Sequence, residues 1–529
     1  MKINIKNNLI SILLIMGLFV SQEAIAETKI QTKPNILIIF PDDVGYSNIN
    51  AYSHGIHGYK TPNMDRIIHE GTAFTDQIAQ PSCTAGRAAL ITGQMPIRTG
   101  LTTVGFPGDK LGIQKEDPTL AEVLKKQGYR TGQFGKNHLG DRNEHLPTVH
   151  GFDEFYGNLY HLNTSEEFES PDYPTHNGYP NFGKEHGNRG ILHSWATDVD
   201  DETVDPRFGK VGKQKIKNLG LLGKERMKTI DVNFTNEAIR FMKEAKEANE
   251  PFFVWYNPTR MHVFTHVEDK YIEAVKKYTT AQDLYGAGMI QLDELIGSLL
   301  NALDEMGLTE NTIVVLSSDN GAELNMWPDG GNTPFHGEKM TTYEGGVRVP
   351  FAVRWPNKIP ANRWVNEIQS HEDIFTTLAS AAGVENIHDK LMKEKNVYID
   401  GVDNLDLWTG KTEKSKRDSY IYYYESSPKA IRLKNWKVHF ATKENYWGPY
   451  TQQSFPIVYN LRKDPYERYS NYRTYGKQAM HMNWLFGIVK EKMKEHVMSL
   501  QKYPPRQKAN SMDVSKEVDR LLNMRPANN

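Results

Sequence analysis

Cysteine, excess charge and long apolar runs are all scarce in this sequence of 529 residues. Cys83 is the only cysteine, so no disulfide can form within the chain. Lysine and arginine total 63 against 65 aspartates and glutamates, and this balance disfavours binding to nucleic acid or to an anionic membrane. Beyond the N-terminus, no apolar run reaches the roughly 20 residues that span a bilayer. The composition therefore excludes a disulfide-stabilised scaffold and favours a large folded domain with a smaller one.

The first 26 residues have the pattern of a cleavable signal peptide. Lys2 and Lys6 precede a mostly apolar stretch over residues 9–20, and residues 24–26 form a cleavage site of the A-x-A type. A transmembrane anchor is the alternative, but this stretch is too short to cross a bilayer. We therefore predict a periplasmic or secreted protein with no membrane anchor after cleavage. A lone thiol in such an oxidising compartment is a liability unless it is buried or chemically used.

Cys83 lies in a stretch, residues 81–93, that predicts a turn leading into a short helix ending at Gly93. A side chain at such a helix N-terminus faces unpaired backbone N–H groups, which favour a bound anion. Arg87 is one turn further on and can reach the same point. A lone cysteine is most often a small buried apolar residue. Here the small and polar neighbours of Cys83 and the nearby cation favour a functional site.

Two apolar runs typical of buried parallel strands each end at a pair of oxygen-bearing side chains. Residues 35–40 lead to Asp42-Asp43, and residues 311–318 lead to Asp319-Asn320. Open α/β sheets bind ligands at the carboxyl ends of their strands. An exposed acidic turn is the common alternative for any Asp-Asp pair. The two strand ends together predict a metal site built from hard oxygen ligands.

The pattern C-x-A-x-R at Cys83–Arg87, followed by Leu-Ile-Thr-Gly at residues 90–93, resembles the signature of the type I sulfatases, a formylglycine-dependent, arylsulfatase-like family of the alkaline phosphatase superfamily. Ala85 stands where that family more often has proline. Residues 135–140 resemble the family motif G-K-x-H-L-G, and residues 337–350 resemble G-x-K-x-T-x-x-E-G-G-x-R-V-P. Residues 458–465 resemble a turn of the family's C-terminal domain. The resemblance covers nearly all of the mature chain.

This resemblance implies an α/β fold with a large mixed, mostly parallel sheet flanked by helices, as in alkaline phosphatase. A small C-terminal α+β domain with an antiparallel sheet is expected beside it. We predict a signal peptide at residues 1–26, a catalytic domain at residues 27–408 and a C-terminal subdomain at residues 409–529. The apolar residues at positions 165–226 recur with no clear period. We predict that this segment forms an irregular flap that selects substrate.

The activity implied by the resemblance is hydrolysis of a sulfate monoester to an alcohol and inorganic sulfate. In the family the cysteine, here Cys83, is converted to formylglycine (3-oxoalanine) by a maturation enzyme. One hydroxyl of the hydrated aldehyde attacks sulfur, and the second then drives release of sulfate. A Ca²⁺ ion, or Mg²⁺ in its place, is implied at Asp42, Asp43, Asp319 and Asn320, in contact with residue 83.

The resemblance also assigns roles to cationic and basic side chains. It implies that Arg87 orients the hydrated aldehyde, that Lys136 and Lys339 bind the sulfate oxygens, and that His138 takes the proton in the release step. His262, with Lys339, is implied to bind substrate and to protonate the leaving oxygen.

His161 occupies a position where many relatives have a serine that contacts sulfate. It is therefore predicted either to bind substrate or to line the wall of the site.

Three other functions remain open at this stage. A phosphonate or phosphate ester hydrolase of the same superfamily can use the same cysteine motif and a similar metal site. A sulfated-glycan binding protein with a dead site would keep an unconverted Cys83. A thiol or redox enzyme is disfavoured because no second cysteine can resolve Cys83.

Overall fold

The computed structural model describes residues 33–279, 283–509 and 511–513, and the predicted signal peptide lies outside these ranges. The strands are β1 (Asn35–Ile39), β2 (Thr72–Ile78), β3 (Arg130–Gly135), β4 (Glu154–Asn158), β5 (Ile191–Asp205), β6 (Gly209–Asn218), β7 (Phe252–Asn257), β8 (Thr312–Leu316), β9 (Arg348–Arg354), β10 (Arg363–Val365), β11 (Gln369–Ser370), β12 (Ser419–Tyr424), β13 (Ser427–Leu433), β14 (Trp436–Thr442) and β15 (Thr451–Asn460). The two buried strands predicted from the sequence correspond to β1 and β8.

The α-helices include short single turns as well as long helices that cover the sheet. They are α1 (Asn50–Ser53), α2 (Pro62–His69), α3 (Cys83–Thr92), α4 (Pro96–Thr99), α5 (Leu120–Lys125), α6 (Leu162–Glu166), α7 (Phe182–Glu185), α8 (Lys224–Glu247), α9 (Asp269–Val275), α10 (Leu284–Glu305), α11 (Glu344–Val347), α12 (His371–Ala381), α13 (Ile387–Lys395), α14 (Leu405–Trp408), α15 (Tyr475–Met480) and α16 (Trp484–Lys502). Within the described ranges, no helix is both long and apolar enough to cross a membrane.

The first strand, β1, lies inside the larger sheet, between β7 and β8 and parallel to both. Across the described residues this sheet has eleven strands in the order β10-β2-β9-β8-β1-β7-β3-β4-β5-β6, and β11 also pairs with β2. Among them, β9 and β5 run opposite to the others. The predicted fold class, a large mixed and mostly parallel sheet, is confirmed.

Alternate side chains of β1 pack against helices on opposite faces of the sheet. Leu37 and Ile39 belong to an apolar cluster that contains side chains of α8 and α10. Ile36 and Ile38 belong to a second cluster, which contains side chains of α3 and α12. Because helices cover both faces, the strand ends are the part of the sheet where a ligand can bind.

The second sheet consists of β12, β13, β14 and β15 and is antiparallel throughout. Leu485 and Val489 of α16 share an apolar cluster with Ile431 of this small sheet. Ile78 of β2 belongs to the same cluster, so the small sheet packs against the larger one. The predicted C-terminal antiparallel sheet with its helix is confirmed, and a domain boundary at residue 409 stays a prediction.

Residues 165–226, predicted to be an irregular flap, contain a long antiparallel hairpin. In this hairpin β5 pairs with β4 near its start and with β6 along its length, so the larger sheet is extended at its edge. Residues 198–204 of β5 are all exposed. Because both faces of this outer part meet solvent, polar residues occupy both, and the apolar alternation that indicates a strand is missing. The expectation of an irregular segment is therefore wrong for β5 and β6.

A cluster of buried charges connects the two sheets. Both carboxylate oxygens of Asp76 in β2 accept hydrogen bonds from the guanidinium of Arg432 in β13, each at 2.6 Å. Arg348 of β9 lies 3.3 Å from Asp76 Oδ1 and also forms an ion pair with Glu344. Glu344 accepts a hydrogen bond from Lys437 Nζ of β14 at 2.8 Å. All five side chains are buried, so each charge depends on its partners for compensation.

A buried carboxyl near the junction of the sheets should make stability depend on pH. Glu372 Oε1 accepts hydrogen bonds from Gln80 Nε2 at 2.9 Å and from the Tyr420 hydroxyl at 3.1 Å. Burial raises the pKa of Glu372 to about 7, although the charge of Arg417 opposes this shift. The folded protein therefore keeps a proton that the unfolded chain releases near its ordinary pKa of 4.5. Stability contributed by this proton is lost as pH rises from about 4.5 to 7, by about 3 kcal/mol in total.

We expect a Glu372→Gln variant, which resembles the protonated carboxyl, to remove this dependence. Its thermal unfolding midpoint should exceed that of the wild type at about pH 8, and the difference should shrink toward zero at about pH 4. Circular dichroism melts across this range measure the effect. The control is Glu385→Gln, which changes an exposed carboxyl. Its thermal unfolding midpoint should differ from that of the wild type by the same small amount at every pH. A Glu372→Gln difference that stays constant with pH would contradict the raised pKa.

Candidate active site

The site residues predicted from the sequence all lie at one edge of the larger sheet, where they are buried. Strands β1, β2, β3, β4, β7 and β8 end at this edge, and β9, which runs the other way, begins there. In order of these strands, the residues are Asp42 and Asp43 after β1, Cys83 and Arg87 after β2, Lys136 and His138 after β3, His161 after β4, His262 after β7, Asp319 and Asn320 after β8, and Lys339 before β9. Residues far apart in the chain therefore meet at this edge.

Cys83 is the first residue of α3, as the sequence predicted. Its Sγ lies 3.8 Å from Asp43 Oδ1. Burial, together with the negative charge of Asp42, raises the pKa of the Cys83 thiol well above its usual value. A Cβ on Gly86 would lie 2.0 Å from the carbonyl oxygen of Asp319, so only glycine lets α3 approach this closely. A thiol held protonated in this way is a poor nucleophile, which disfavours a thiol enzyme.

Three carboxylates form a compact group with Cys83. One ligand atom from each of Asp42, Asp43, Cys83 and Asp319 lies within 4.8 Å of all the others. Burial and the charge of Asp42 raise the pKa of Asp43 well above its usual value and that of Asp319 to about 6. Asp42 Oδ1 and Asn320 Oδ1 are buried, and neither accepts a hydrogen bond from any described residue. This set of oxygens fits a hard divalent cation, which would offset the repulsion and satisfy both atoms.

Lys136 and Arg87 keep Asp42 ionised. Lys136 Nζ donates a hydrogen bond to Asp42 Oδ2 at 2.5 Å, and an Arg87 nitrogen lies 3.4 Å from Asp42 Oδ1. Burial alone would raise the pKa of Asp42, but these two cations outweigh it and hold the pKa well below its usual value. Arg87 also donates to Asp319 Oδ2 at 2.8 Å and to the carbonyl oxygen of Lys136 at 3.0 Å. It thus connects the loops that follow β3 and β8.

Three histidines form a row beside the carboxylates. The rings of His161 and His262 are stacked with centroids 5.6 Å apart, and His138 meets His161 edge-on at 5.6 Å. His262 Nε2 lies 3.9 Å from Asp43 Oδ2. His161 Nδ1 accepts a hydrogen bond from the backbone N–H of Thr164 at 3.4 Å. The proton of a neutral His161 is therefore on Nε2.

The protonation of the other two histidines follows from their backbone contacts. Burial lowers the pKa of His138, His161 and His262 well below the usual value, and the charge of Lys136 adds to the effect at all three. His138 Nε2 contacts the carbonyl oxygen of Gly105 at 3.3 Å, which leaves Nδ1 as the free acceptor.

His262 Nδ1 contacts the carbonyl oxygen of Val263 at 2.7 Å. Its Nε2 therefore faces the carboxylates without a hydrogen atom when the ring is neutral.

Two residues at the site, Glu323 and Tyr446, were not predicted from the sequence. Lys339 Nζ donates to Glu323 Oε2 at 2.9 Å as well as to Asp43 Oδ2 at 2.7 Å. Glu323 lies in the loop after β8, and an acidic residue shortly after a strand end was a usable signal. Burial raises the pKa of the Tyr446 hydroxyl against the opposing charge of Lys339, so Tyr446 lies near the site. No motif marks Tyr446, which belongs to the loop between β14 and β15.

Comparison with known proteins identifies the family of the chain. The chain matches the family described as Sulfatase over residues 34–384 and the family described as C-terminal region of aryl-sulfatase over residues 415–520. It is 29% identical over 470 residues to the N-acetylgalactosamine-6-sulfatase of Canis lupus familiaris, which covers 82% of this chain and 81% of that protein. It is 31% identical over 461 residues to arylsulfatase A of Homo sapiens, which covers 83% of each chain.

A solved structure shows the same architecture. The PsFucS1 sulfatase from Pseudoalteromonas sp. superposes with a TM-score of 0.77 at 28% sequence identity, over 90% of this chain and 92% of that one. The larger sheet with its helices and the small C-terminal sheet therefore form the alkaline phosphatase-like fold of the sulfatases. On these grounds the chain belongs to the sulfatase family and is a sulfuric ester hydrolase.

Proposed function

We propose that this enzyme is exported and hydrolyses sulfate monoesters through a formylglycine made from Cys83 by a maturation enzyme. The observation that carries the proposal is the position of Cys83, the only cysteine of the chain. It begins a helix and lies within 4.8 Å of three carboxylates. Export is inferred from the signal-peptide pattern of residues 1–26.

Asp42, Asp43, Asp319 and Asn320 would hold a divalent cation, Ca²⁺ or Mg²⁺, beside residue 83. The two buried oxygens that accept no hydrogen bond from the described residues support this proposal. When bound, such an ion lowers the pKa of a hydroxyl next to it and neutralises charge on the sulfate oxygens.

Formylglycine would supply what a thiol at this position lacks. Its hydrate offers one hydroxyl to attack sulfur and a second whose deprotonation lets the carbonyl re-form as sulfate departs. Arg87, which is fully buried, would orient the group at residue 83. His138 Nδ1, the free acceptor of that ring, would take the proton of the second hydroxyl.

Lys136 and Lys339 would bind the oxygens of the sulfate, and their charges count for most in a buried site. His262 Nε2, beside Lys339, would carry a proton to the leaving oxygen. An anionic sulfate raises the proton affinity of this nitrogen, because an opposite charge favours the imidazolium. His161 would donate its Nε2–H to the substrate, which is the first of the two roles predicted for it.

The test is to produce the full chain together with a formylglycine-generating enzyme and to weigh the peptide that contains Cys83. We expect the mass of the aldehyde, its capture by a hydrazide reagent, and release of inorganic sulfate from 4-nitrophenyl sulfate. An intact thiol in every molecule, with glycan binding but no turnover, would instead support a sulfated-glycan binding protein.

Parallel assays on a phosphonate monoester and a phosphodiester test the rival hydrolase. A higher kcat/KM on either substrate than on the sulfate would overturn the proposed preference for sulfate. Sequencing of the exported protein should find Glu27 at its N-terminus if the signal peptide is cleaved as proposed.

A further inference from the structure

A groove of about 540 Å³ opens beside Lys339 on the small sheet. We call it the C-terminal groove. Its lining includes Met340, Lys429, Lys443, Tyr446, Trp447 and Tyr450, together with the carboxylates of Glu425 and Asp513. Most of these residues come from β13 and from the loop that joins β14 to β15. Apart from Met340, none of them belongs to the motifs that predicted the active site.

The groove lies next to the catalytic edge. Met340 follows Lys339 directly in the chain and lines the groove. The backbone N–H of Tyr446 donates to Glu338 Oε1 at 3.1 Å, which ties the loop between β14 and β15 to the segment that carries Lys339. Tyr446 lies close enough for the charge of Lys339 to oppose the effect of burial on the pKa of its hydroxyl. The groove therefore lies on the side of the catalytic edge that carries Lys339.

Lys443 gives the groove a buried positive charge. The residue is only 5% exposed, and its Nζ lies 4.7 Å from the centre of the Tyr424 ring. Its hydrogen-bond partner is the Tyr424 hydroxyl at 3.4 Å, and no carboxylate among the described residues forms an ion pair with it. Burial lowers the pKa of Lys443 to about 8, against the opposing charges of Glu425 and Glu338. An anionic ligand would stabilise the charged form of this buried ammonium group.

The acidic side chain whose charge acts most strongly on this lysine is Glu425, which is hydrogen-bonded to other residues. Glu425 accepts hydrogen bonds from the Ser511 hydroxyl at 2.8 Å and from the backbone N–H of Met512 at 3.0 Å. Lys443 therefore marks the end of the groove where an anion would bind.

Aromatic rings provide the rest of a saccharide site. Trp447 is 76% exposed, and its ring centroid lies 4.8 Å from that of Tyr446. An exposed indole in a concave site is a surface on which the apolar face of a sugar ring can stack. Large exposed apolar side chains of this kind often mark binding sites.

We propose that the C-terminal groove binds the sugar next to the sulfated one, with its ring on Trp447 and an anionic substituent, sulfate or carboxylate, on Lys443. The physiological substrate is then an anionic oligosaccharide, and small aryl sulfates fill only the part of the site around residue 83. This inference rests on the proposed sulfatase function and names its substrate class.

The test uses the full chain with residue 83 converted and a panel of tetrasaccharides from chondroitin 6-sulfate, iota-carrageenan and heparin. Each is measured as a competitor of 4-nitrophenyl sulfate hydrolysis, and the tightest is carried forward. Lys443→Met removes the charge at similar volume, and Trp447→Ala removes the exposed ring. We expect each variant to weaken that tetrasaccharide about 10- to 100-fold, as the loss of a charge-assisted contact predicts. The fold-change in KM for 4-nitrophenyl sulfate should be at least tenfold smaller than the fold-loss of affinity for the tetrasaccharide.

The matched control is Lys246→Met, an exposed lysine at the end of α8 that precedes the amino end of β7. It should change neither measurement. The proposal is overturned if no tetrasaccharide binds more tightly than inorganic sulfate, or if the tightest is unaffected by both groove variants. It is also overturned if aryl sulfate and tetrasaccharide weaken equally. Failure of the sulfatase function itself would appear differently, as absence of 4-nitrophenyl sulfate turnover by the wild type.

Discussion

A Cys83→Ser variant should release about one equivalent of alcohol per enzyme molecule and then stop. A serine hydroxyl can attack sulfur, so that an O–S bond forms while the bond from sulfur to the alcohol breaks. It carries no second hydroxyl on the same carbon, so no carbonyl can form to expel sulfate. We expect the steady-state kcat to fall by at least about 10³-fold, as the loss of a nucleophilic unit predicts. Quenched-flow kinetics measures the burst, and intact-protein mass measures the retained sulfate.

The side-chain change is small, so the buried surroundings of Cys83 should tolerate it. Cys83→Ala is the matched control, because it leaves the carboxylates and lysines in place and removes every attacking atom. It should show neither burst nor retained sulfate. Continuous turnover by the serine variant within about tenfold of the converted wild type would contradict the role assigned to residue 83.

Removal of the Asp76 carboxylate should strongly lower the free energy of unfolding. Asp76→Ala would leave Arg432 and Arg348 buried without the anion that both contact. Breaking a buried ion pair from one side costs about 3–5 kcal/mol, because the remaining charge loses water without compensation. We expect a clear fall in the urea concentration at the midpoint of unfolding. Tryptophan fluorescence and circular dichroism on the same samples measure this midpoint.

A double-mutant cycle separates this effect from a simple cavity. If the contact is the cause, Asp76→Ala combined with Arg432→Met should cost at least about 1 kcal/mol less than the sum of the two single changes. Glu394→Ala, which breaks an exposed ion pair with Lys126, should change stability by less than about 1 kcal/mol. Strict additivity of the two buried changes would count against a coupled pair.

Much of the site could be predicted because its strands are buried on both faces. Such strands read as unbroken apolar runs, and the polar residues after β1 and β8 therefore stand out in the sequence. Parallel strands deliver those residues to one edge whatever their separation in the chain. Asp42 and Asp319 are found together in the structure for this reason.

The contribution of the small sheet could not be predicted in the same way. Tyr446 reaches the site only because that sheet packs on the larger one, partly through Asp76 and Arg432, which are 356 positions apart in the chain. No local pattern carries information about a contact at that distance. The hairpin of β5 and β6 was missed for a different reason. Its outer half is exposed to solvent on both faces, so its sequence shows no alternation of apolar and polar residues.

The place of β1 inside the larger sheet sets the time available for the proposed conversion of Cys83. The strands on either side of it, Phe252–Asn257 and Thr312–Leu316, come much later in the chain. This part of the sheet therefore cannot close until synthesis has passed both, and pairing over such separations is slow. In the folded protein Cys83 is 1% exposed, so the proposed maturation enzyme would have to reach it before that closure. Folding and the proposed oxidation would then compete in time, and a host in which folding is faster would accumulate well-folded but inactive molecules.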